Sequence, residues 1–326
     1  MSTSIINAET RYLSTDYVAI YKSWKSFKKG KRSCLAIDKF AYLLETNLMK
    51  LSLELGNRSY VHSSYQPVVL YEKKRRDLAV ATVRDRIVHR LLYEHLVAIY
   101  DKSFDPDVWS CRKGKGLHAC LARTQKLLQK YPKGYIWRAD ITKFYDNVNH
   151  SILMDCLSRK FNQDSNVLFL LNKVINTYST INSHSGIPIG NLTSQIFSNV
   201  YLHEFDRYVR HFIKPLAYIR YGDDFLIFFP SRMSAYKARE VATSFLLDSL
   251  SLTINPQNDI LILSQYGLKF LGHNITKCYT VVDRHTTSNV LNKLNWRNAS
   301  SYKALLLSKT EKERLDWILL EKYVDV

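Results

Sequence analysis

Three aspartates stand where apolar, strand-like stretches end, and their placement suits metal-dependent chemistry. Asp140 lies near the end of a predicted strand over 135–141, and Asp223 and Asp224 form the tip of a predicted hairpin within 217–229. Two adjacent carboxylates repel each other unless a cation bridges them. Two-metal phosphoryl transfer needs carboxylates from separate elements, because Mg²⁺ prefers hard oxygen ligands. The three aspartates are therefore predicted to hold two divalent ions, the alternative being that Asp223 and Asp224 form an ordinary solvated turn.

The overall charge favours a nucleic-acid partner. The chain of 326 residues has 47 Lys plus Arg against 29 Asp plus Glu, a formal net charge of +18, and it contains 22 tyrosines. Such a surplus attracts a polyanion, and aromatic rings suit stacking on bases, although the same surplus would also keep a protein in solution. A basic cluster interleaved with Trp24 and Phe27 predicts either an RNA-contacting arm or a solvated helix face. Its members are Lys22, Lys25, Lys28, Lys29, Lys31 and Arg32.

The cysteines and the apolar runs predict a globular protein of the cytoplasm. The five cysteines are scattered, without a C-x-x-C pair or a histidine at zinc-ligand spacing, which predicts core thiols in a reducing compartment. No apolar run approaches the length of a membrane span, and residues 1–14 lack the pattern of a signal peptide. We therefore expect no membrane partner.

The elements predicted around the aspartates follow the order strand, helix, hairpin, helix, strand. That order is typical of a ferredoxin-like palm in an α+β protein. The elements are a strand at 135–141, a helix at 151–160 with Asn149 as N-cap, a helix at 192–212, the hairpin, a helix at 234–250 and a strand at 259–263. Elsewhere the pattern predicts helices at 38–56, 84–100 and 117–130, strands at 68–71 and 78–82, and helical structure from about Tyr279 onward.

Six blocks, in order along the chain, resemble the motifs of reverse transcriptases. Tyr221-Gly222-Asp223-Asp224 resembles their Y-x-D-D box, and the segment from Ala139 to Tyr145 resembles their first catalytic block. The other blocks lie at 84–89, 110–114, 186–195 and 270–272, so the resemblance covers roughly 68–273. It implies an RNA-directed DNA polymerase that uses two Mg²⁺ ions, with Mn²⁺ as a possible substitute.

The resemblance also implies a right-hand polymerase with fingers, a ferredoxin-like palm and a short helical thumb. The implied divisions are a helical N-terminal extension at 1–65, fingers at 66–138, a first part of the palm at 139–160, a fingers–palm connection at 161–190, the palm at 191–275 and the thumb at 276–326.

One block points to a subtype. Many reverse transcriptases have P-Q-G followed by S-P, whereas this chain has Pro188-Ile189-Gly190 followed by Asn-Leu-Thr-Ser-Gln up to Gln195. That form is similar to the reverse transcriptases of diversity-generating retroelements, which copy a template RNA into cDNA with errors at adenines and so diversify a target gene. The implied partners are a structured template RNA, the primer and cDNA strand, dNTPs, and a small basic helical accessory protein that is typically oligomeric.

Residues that would bind the incoming dNTP follow from the same resemblance. Its phosphates need cations, and Arg76 and Arg112, with Lys74, are expected to supply them, although the basic run at 73–76 is also compatible with a solvated turn. Tyr145, five residues after Asp140, is expected to be a steric gate that excludes a 2′-hydroxyl. The alternative is a core tyrosine. The preceding Phe144 is expected to pack in the palm, pointing away from Tyr145 if the stretch is extended.

Ile189 and Gly190 are expected to line the nucleotide pocket. An alkyl side chain cannot hydrogen-bond the nascent pair as a glutamine could, so Ile189 is expected to weaken discrimination by about 1 kcal/mol, unless it only packs. Gln195 is expected to face the template or to satisfy a buried polar group. Ile141 is grouped with the metal ligands, and the segment 270–272 (Phe270, Leu271, Gly272) resembles a primer grip.

One departure from the family pattern concerns the proton donor to pyrophosphate. Many related polymerases place a lysine after a segment like 252–256, but Gln257, Asn258 and Asp259 follow here. The proton donor is therefore left unassigned.

Three other functions compete with the diversity-generating type. A retron, group II intron-like or phage-defence reverse transcriptase would share the three aspartates but not the 189–195 block. A nucleotide cyclase can place paired acids in a similar turn, but it has no use for the Arg112 block. A silent RNA-binding scaffold fits the charge, whereas the retention of all three acids disfavours it.

Overall fold

The computed structural model describes residues 12–71, 75–161, 163–180, 184–306 and 309–324. Its helices are α1 (Tyr17–Lys28), α2 (Leu35–Tyr42), α3 (Leu44–Gly56), α4 (Val83–Tyr100), α5 (Leu117–Lys130), α6 (Phe144–Asn147), α7 (His150–Phe161), α8 (Ser165–Asn176), α9 (Leu192–Tyr208), α10 (Arg232–Leu250), α11 (Arg284–Lys293), α12 (Ala299–Lys303) and α13 (Lys309–Val324). Its strands are β1 (Gln66–Tyr71), β2 (Arg75–Val80), β3 (Tyr135–Ala139), β4 (Ala217–Tyr221), β5 (Asp224–Phe229), β6 (Ile260–Leu263), β7 (Leu268–Phe270), β8 (His273–Ile275) and β9 (Thr280–Val282).

The chain forms two compact units. The first comprises the residues up to 105 with 142–208 and 244–253, and the second comprises 106–141, 209–243 and the residues from 254 onward.

Helix α4 is the centre of the first unit. Its N-cap is Thr82, whose hydroxyl oxygen accepts a hydrogen bond from the Asp85 amide at 3.2 Å. It packs against α1, α2, α8 and α9. Ile87, Leu91 and Leu92 are among its buried residues and recur at helical spacing. Strands β1 and β2 form a separate antiparallel ribbon.

A four-stranded antiparallel sheet organises the second unit. Its order is β4-β5-β3-β6, so β3 lies between β5 and β6, and Trp137 pairs with Ile227 on one side and Leu261 on the other. Strand β3 precedes the β4–β5 hairpin in the chain, and β6 follows α10, which gives the strand order of a ferredoxin-like palm. The predicted α+β palm is therefore confirmed.

The last part of the second unit holds two smaller assemblies. Strands β7, β8 and β9 form an antiparallel meander. Helices α11 to α13 enclose an apolar cluster that includes Val290, Leu306, Leu315 and Leu319.

Most predicted elements are present, and several need correction. The helix predicted over 38–56 is broken at Leu43, which separates α2 from α3. Residues 280–282 form a strand rather than a helix. The stretch at Phe144 is a single helical turn, entered through Lys143 at φ +42°, rather than extended. Helix α8 was not predicted.

The cysteine prediction holds in part. Cys120 and Cys156 are buried core thiols, but Cys34, Cys111 and Cys278 are exposed, so a core role is wrong for those three. Within the described ranges, none of the helices combines the length and apolar character needed to cross a membrane.

Candidate active site

Asp140 follows the last residue of β3 and is held by a turn that precedes β6. The Asn255 amide donates to the Asp140 carbonyl at 2.9 Å. The Asp140 Oδ2 accepts from Asn258 Nδ2 at 3.0 Å and, more weakly, from Asn255 Nδ2 at 3.4 Å. Its Oδ1 is buried without a hydrogen-bond partner among the residues that the structure covers. One carboxylate oxygen is thus oriented by amides, and the other is left to accept a cation.

A two-residue turn presents the other two aspartates. Tyr221, the last residue of β4, pairs with Asp224, the first of β5, so Gly222 and Asp223 are the central turn residues. Gly222 has φ +67°, whereas Asp223 has a negative φ, which defines a type II′ turn with glycine at its first central position. The turn directs adjacent carboxylates from the end of a buried sheet.

The three carboxylates act on one another electrostatically. Burial raises the pKa of Asp224 to about 7, and the charges of Asp223 and Asp140 add to that rise, while Arg138 opposes it. Burial also raises the pKa of Asp223, as does the charge of Asp140, against the effects of its own backbone amide and of Arg220. Shared desolvation and mutual repulsion are what a bound cation would relieve.

Arg220 supports the hairpin from inside the protein. This residue of β4 is fully buried, and its Nη1 donates to the Gly222 carbonyl at 2.9 Å. Its backbone amide donates to the Asp107 carbonyl at 3.0 Å, and its own carbonyl accepts from the Trp109 amide at 2.9 Å. Arg123 in turn donates to both carboxylate oxygens of Asp107, at 2.9 and 3.0 Å. The hairpin tip is therefore tied to the loop that contains Asp107 and Trp109.

Sequence reasoning missed these supporting residues. An arginine between apolar strand residues gave no sign of full burial, and Asp107 lies in a loop without a motif. The turn signal at Asn255-Pro256 was visible, but only the fold reveals that Asn258 reaches Asp140.

In the first unit, the loop at 186–191 is fastened to the turn that contains Tyr145. The Ile187 amide donates to the Tyr145 carbonyl at 2.8 Å, and the Gly186 amide donates to the Val148 carbonyl at 2.8 Å. Tyr145 is half-buried. Phe144 is buried, with its ring centroid 6.3 Å from that of Tyr201, so its predicted packing role is confirmed although the backbone is helical.

The rest of the loop is anchored at its other side. The Ser194 hydroxyl donates to the Pro188 carbonyl at 2.7 Å, and Asn191 Nδ2 donates to the Ala79 carbonyl of β2 at 2.6 Å. Between these anchors Ile189 is half-buried, and Gly190 has φ +92°. Gln195 is half-buried in the first turn of α9. Ile189 thus sits on a backbone fixed from both sides.

Comparison with known proteins decides the family. Residues 66–275 match the family described as reverse transcriptase (RNA-dependent DNA polymerase). The chain belongs to the reverse transcriptase family. It is an RNA-directed DNA polymerase, and the resemblance seen in the six sequence blocks is confirmed.

Several known proteins are similar in sequence to this chain. Protein YkfC of Escherichia coli is 25% identical over 289 residues, which are 76% of this chain and 74% of YkfC. The group II intron-encoded protein LtrA of Lactococcus lactis subsp. cremoris is 24% identical over 203 residues, 59% of this chain but only 33% of LtrA.

A solved structure supports the right-hand polymerase fold. Telomerase from Candida albicans, in complex with a fragment of telomeric RNA, superposes with a TM-score of 0.53 at 13% identity. The match covers 81% of this chain and 56% of the telomerase chain.

Reverse transcriptases generally use divalent metal ions, typically Mg²⁺. In the part of the chain that the structure describes, no group of three or more His, Cys, Asp or Glu side chains is gathered closely enough to hold a metal ion as it stands. The donors nevertheless fit a hard cation, since Asp140 has a buried oxygen without a partner there, and burial together with the charges of Asp223 and Asp140 raises the pKa of Asp224. The Ile141 side chain is buried and apolar, so it could contribute only its carbonyl oxygen.

The remaining predicted residues have less defined surroundings. Arg112 is half-buried, and its Nη1 donates to the Val108 carbonyl at 3.2 Å. Arg76 lies in β2, paired with Leu70, but its side chain lies outside the described part of the structure, as does the whole of Lys74. These two phosphate contacts stay predictions.

The predicted primer grip is a tight turn between β7 and β8. Phe270 is buried and pairs with His273. Leu271 and Gly272 are the central residues, at φ +49° and +77°, which is the pattern of a type I′ turn. A leucine in the left-handed region costs about 1–2 kcal/mol, so the fold holds this turn in place against a local preference.

Proposed function

We propose that this reverse transcriptase makes cDNA at a centre built from Asp140, Asp223 and Asp224. The observation that carries the proposal is electrostatic: the carboxylates come from a strand end and a hairpin tip and are half-buried, and burial together with the charges of Asp223 and Asp140 raises the pKa of Asp224. Two divalent ions, when bound, would activate the primer 3′-hydroxyl and stabilise the charge that develops on the transferred phosphoryl group.

The protein's own contribution is positioning. Asn258 orients Asp140 by donating a hydrogen bond to its Oδ2. Arg220 fixes the turn that carries Asp223 and Asp224 by donating a hydrogen bond to the Gly222 carbonyl. We further propose that Arg112 binds the phosphates of the dNTP and that Tyr145 excludes a 2′-hydroxyl.

The carboxylate assignment is tested by Asp223→Asn. This isosteric change removes a charge, and the loss of several kcal/mol of transition-state stabilisation predicts a fall of roughly a thousandfold or more in primer extension on RNA. Asp155→Asn, at an exposed position on α7, is the matched control. Near-normal extension by folded Asp223→Asn protein would reject the assignment.

We propose that the enzyme belongs to the diversity-generating type and copies its template RNA with errors at adenines. Support comes from the block around Ile189, whose alkyl side chain lies in a loop anchored by Ser194 and Asn191. Because the backbone is fixed and residue 189 has no side-chain amide, a hydrogen bond that would favour the correct base pair is missing. The partners proposed with this type are a structured RNA and a small basic helical accessory protein.

A group II intron-like enzyme is the second candidate. The similarity to LtrA over 59% of the chain favours it, although the compared region is a third of that protein. The two candidates differ in the errors that they predict, since only the diversity-generating type concentrates errors at template adenines.

Ile189→Gln distinguishes the two candidates. A restored hydrogen bond worth about 1 kcal/mol would lower the error frequency at template adenines about fivefold. Ile189→Val keeps the alkyl character and should leave the errors unchanged. The measurement is sequencing of cDNA made by each enzyme from one RNA. A wild-type enzyme without excess errors at adenines would favour the intron-like candidate, and equal adenine errors in wild type and Ile189→Gln would assign Ile189 to packing.

A further inference from the structure

Two cations lie over one buried aromatic ring in the first unit, and a third, Arg90, lies near enough for its charge to act on Lys31. Arg86 and Arg90 lie one turn apart on α4 and are half-buried. Lys31 follows the C-terminal end of α1. The Lys31 Nζ lies 4.7 Å and the Arg86 Cζ 5.2 Å from the centroid of the Phe27 ring, which is itself buried. We name Lys31, Arg86 and Arg90 the α4 cation cluster.

The cluster is electrostatically unfavourable by itself. Partial burial lowers the pKa of Lys31, and the charges of Arg90 and Arg86 lower it further. Burial also lowers the pKa of Arg86. Like charges one helical turn apart are destabilising, so the fold maintains an arrangement that an anion would relieve.

Few of the described residues offset the positive charge of the α4 cation cluster. The Nε atoms of Arg86 and Arg90 are buried without a hydrogen-bond partner in the described ranges. Arg90 has an ion pair with Glu94 at 3.9 Å, on its own helix. Arg84 on the same helix differs, because it pairs with Glu54 and Asp85. Arg84 therefore has a structural role, whereas the described part of the structure offers no acceptor to the Nε atoms of Arg86 and Arg90.

We propose that the α4 cation cluster binds backbone phosphates of a structured RNA, at a site additional to the one built on the three aspartates. Guanidinium groups match phosphate oxygens with paired N–H donors. This inference rests on the proposed function only in that the enzyme must hold an RNA.

The neighbouring surface favours RNA over an acidic protein segment. Lys28, Lys29 and Arg32 are exposed beside Lys31 and extend the positive charge along the chain, which suits a ligand with regularly repeated phosphates. Tyr17 and Tyr21 on α1 are exposed at 36% and 39%, with parallel rings 6.3 Å apart. Exposed parallel rings next to cations are suited to stacking on unpaired bases.

The test is RNA binding by Arg86→Gln/Arg90→Gln protein, measured by fluorescence anisotropy with a labelled hairpin RNA, without primer or dNTP, at several salt concentrations. We expect the Kd to rise about tenfold and the slope of log affinity against log salt to fall by about 1.5, because two phosphate contacts are lost. The melting temperature should stay unchanged or rise, since repulsion is relieved. Lys50→Gln, at an exposed position on α3, is the control and should match the wild type.

Three further measurements make the result decisive. Arg84→Gln should lower the melting temperature, as expected for a paired structural arginine, and a similar fall in the double variant would overturn the proposal. Unchanged RNA affinity and salt slope in the double variant would overturn it too. The proposal would also be overturned if the double variant lost binding of a labelled acidic peptide while its RNA binding stayed unchanged. Extension of a short, saturating primer–template by the double variant should be normal. If wild-type protein binds RNA through the cluster while Asp223→Asn protein extends primers normally, the proposed carboxylate centre fails and the cluster proposal stands.

Discussion

Asn258 is expected to control catalysis through Asp140. Its Nδ2 donates to the Asp140 Oδ2 at 3.0 Å, whereas the side-chain Nδ2 of Asn255, which donates to the same oxygen, lies at 3.4 Å. In Asn258→Ala, the Asp140 carboxylate keeps only the weaker bond from Asn255 Nδ2 and gains rotational freedom. A hydrogen bond to a charged group contributes about 1.5–3 kcal/mol, so kcat should fall about tenfold to a hundredfold.

The effect should have the signature of a positioning residue. We expect the KM for dNTP to change little and the Mg²⁺ concentration for half-maximal rate to rise, because the substitution disturbs a proposed metal ligand rather than a nucleotide contact. Asn258→Asp should be more damaging, since it places a like charge beside Asp140. The neighbouring Gln257 is exposed, and Gln257→Ala is the matched control.

The assay is single-nucleotide extension of a primed RNA across a range of Mg²⁺ concentrations, with melting curves for each variant. The reasoning is refuted if Asn258→Ala retains wild-type kcat and Mg²⁺ dependence. It is also refuted if Gln257→Ala loses as much activity as Asn258→Ala.

Three more outcomes follow from the structure. Tyr145→Ala should raise ribonucleotide incorporation relative to dNTP about tenfold or more, whereas Tyr145→Phe should not; an unchanged ratio in competition assays would reject the gate. Gly222→Ala should lower the free energy of unfolding by about 1–2 kcal/mol, because φ is +67° there while the nearest atom to an added Cβ is 3.9 Å away; denaturant titration should detect it, and an unchanged midpoint would contradict it. Burial lowers the pKa of His89 to about 3, so the unfolded chain binds this proton below about pH 6.5 and the folded one does not. The free energy of unfolding should therefore fall by about 2 kcal/mol between pH 8 and pH 5, and a slope equally steep in His89→Leu would refute that assignment.

The catalytic strands were predictable because their signals are local. Apolar runs on both sides of Gly222-Asp223 indicate a hairpin whatever the rest of the chain does, and α5 was predicted at its observed bounds. Helix α8 had an equally local signal, since Val167, Leu170, Leu171 and Val174 recur at helical spacing. The sequence therefore carries a sufficient signal for α8.

Other features depend on contacts between distant segments. Arg220 is buried because its backbone hydrogen-bonds to the loop at Asp107. No residue near Arg220 in the sequence indicates that this loop lies beside it. The strand at 280–282 exists because β8 offers an edge to it. Its sequence, Thr-Val-Val, is short enough that neighbouring helix patterns obscured it.

The position of β3 in the palm sheet has a consequence for folding during synthesis. Arg138 of β3 pairs with Leu226 on one side and with Ile260 on the other. The pairing of β3 can therefore be completed only after segments much later in the chain have been synthesised. Such distant pairings form slowly because a long loop must close first. The turn that orients Asp140 also lies just before β6. A nascent chain whose residues 255–263 have not yet emerged from the ribosome already contains the three aspartates. Asp140 is then not yet oriented by the turn before β6, so polymerase activity should arise only in the final stage of folding.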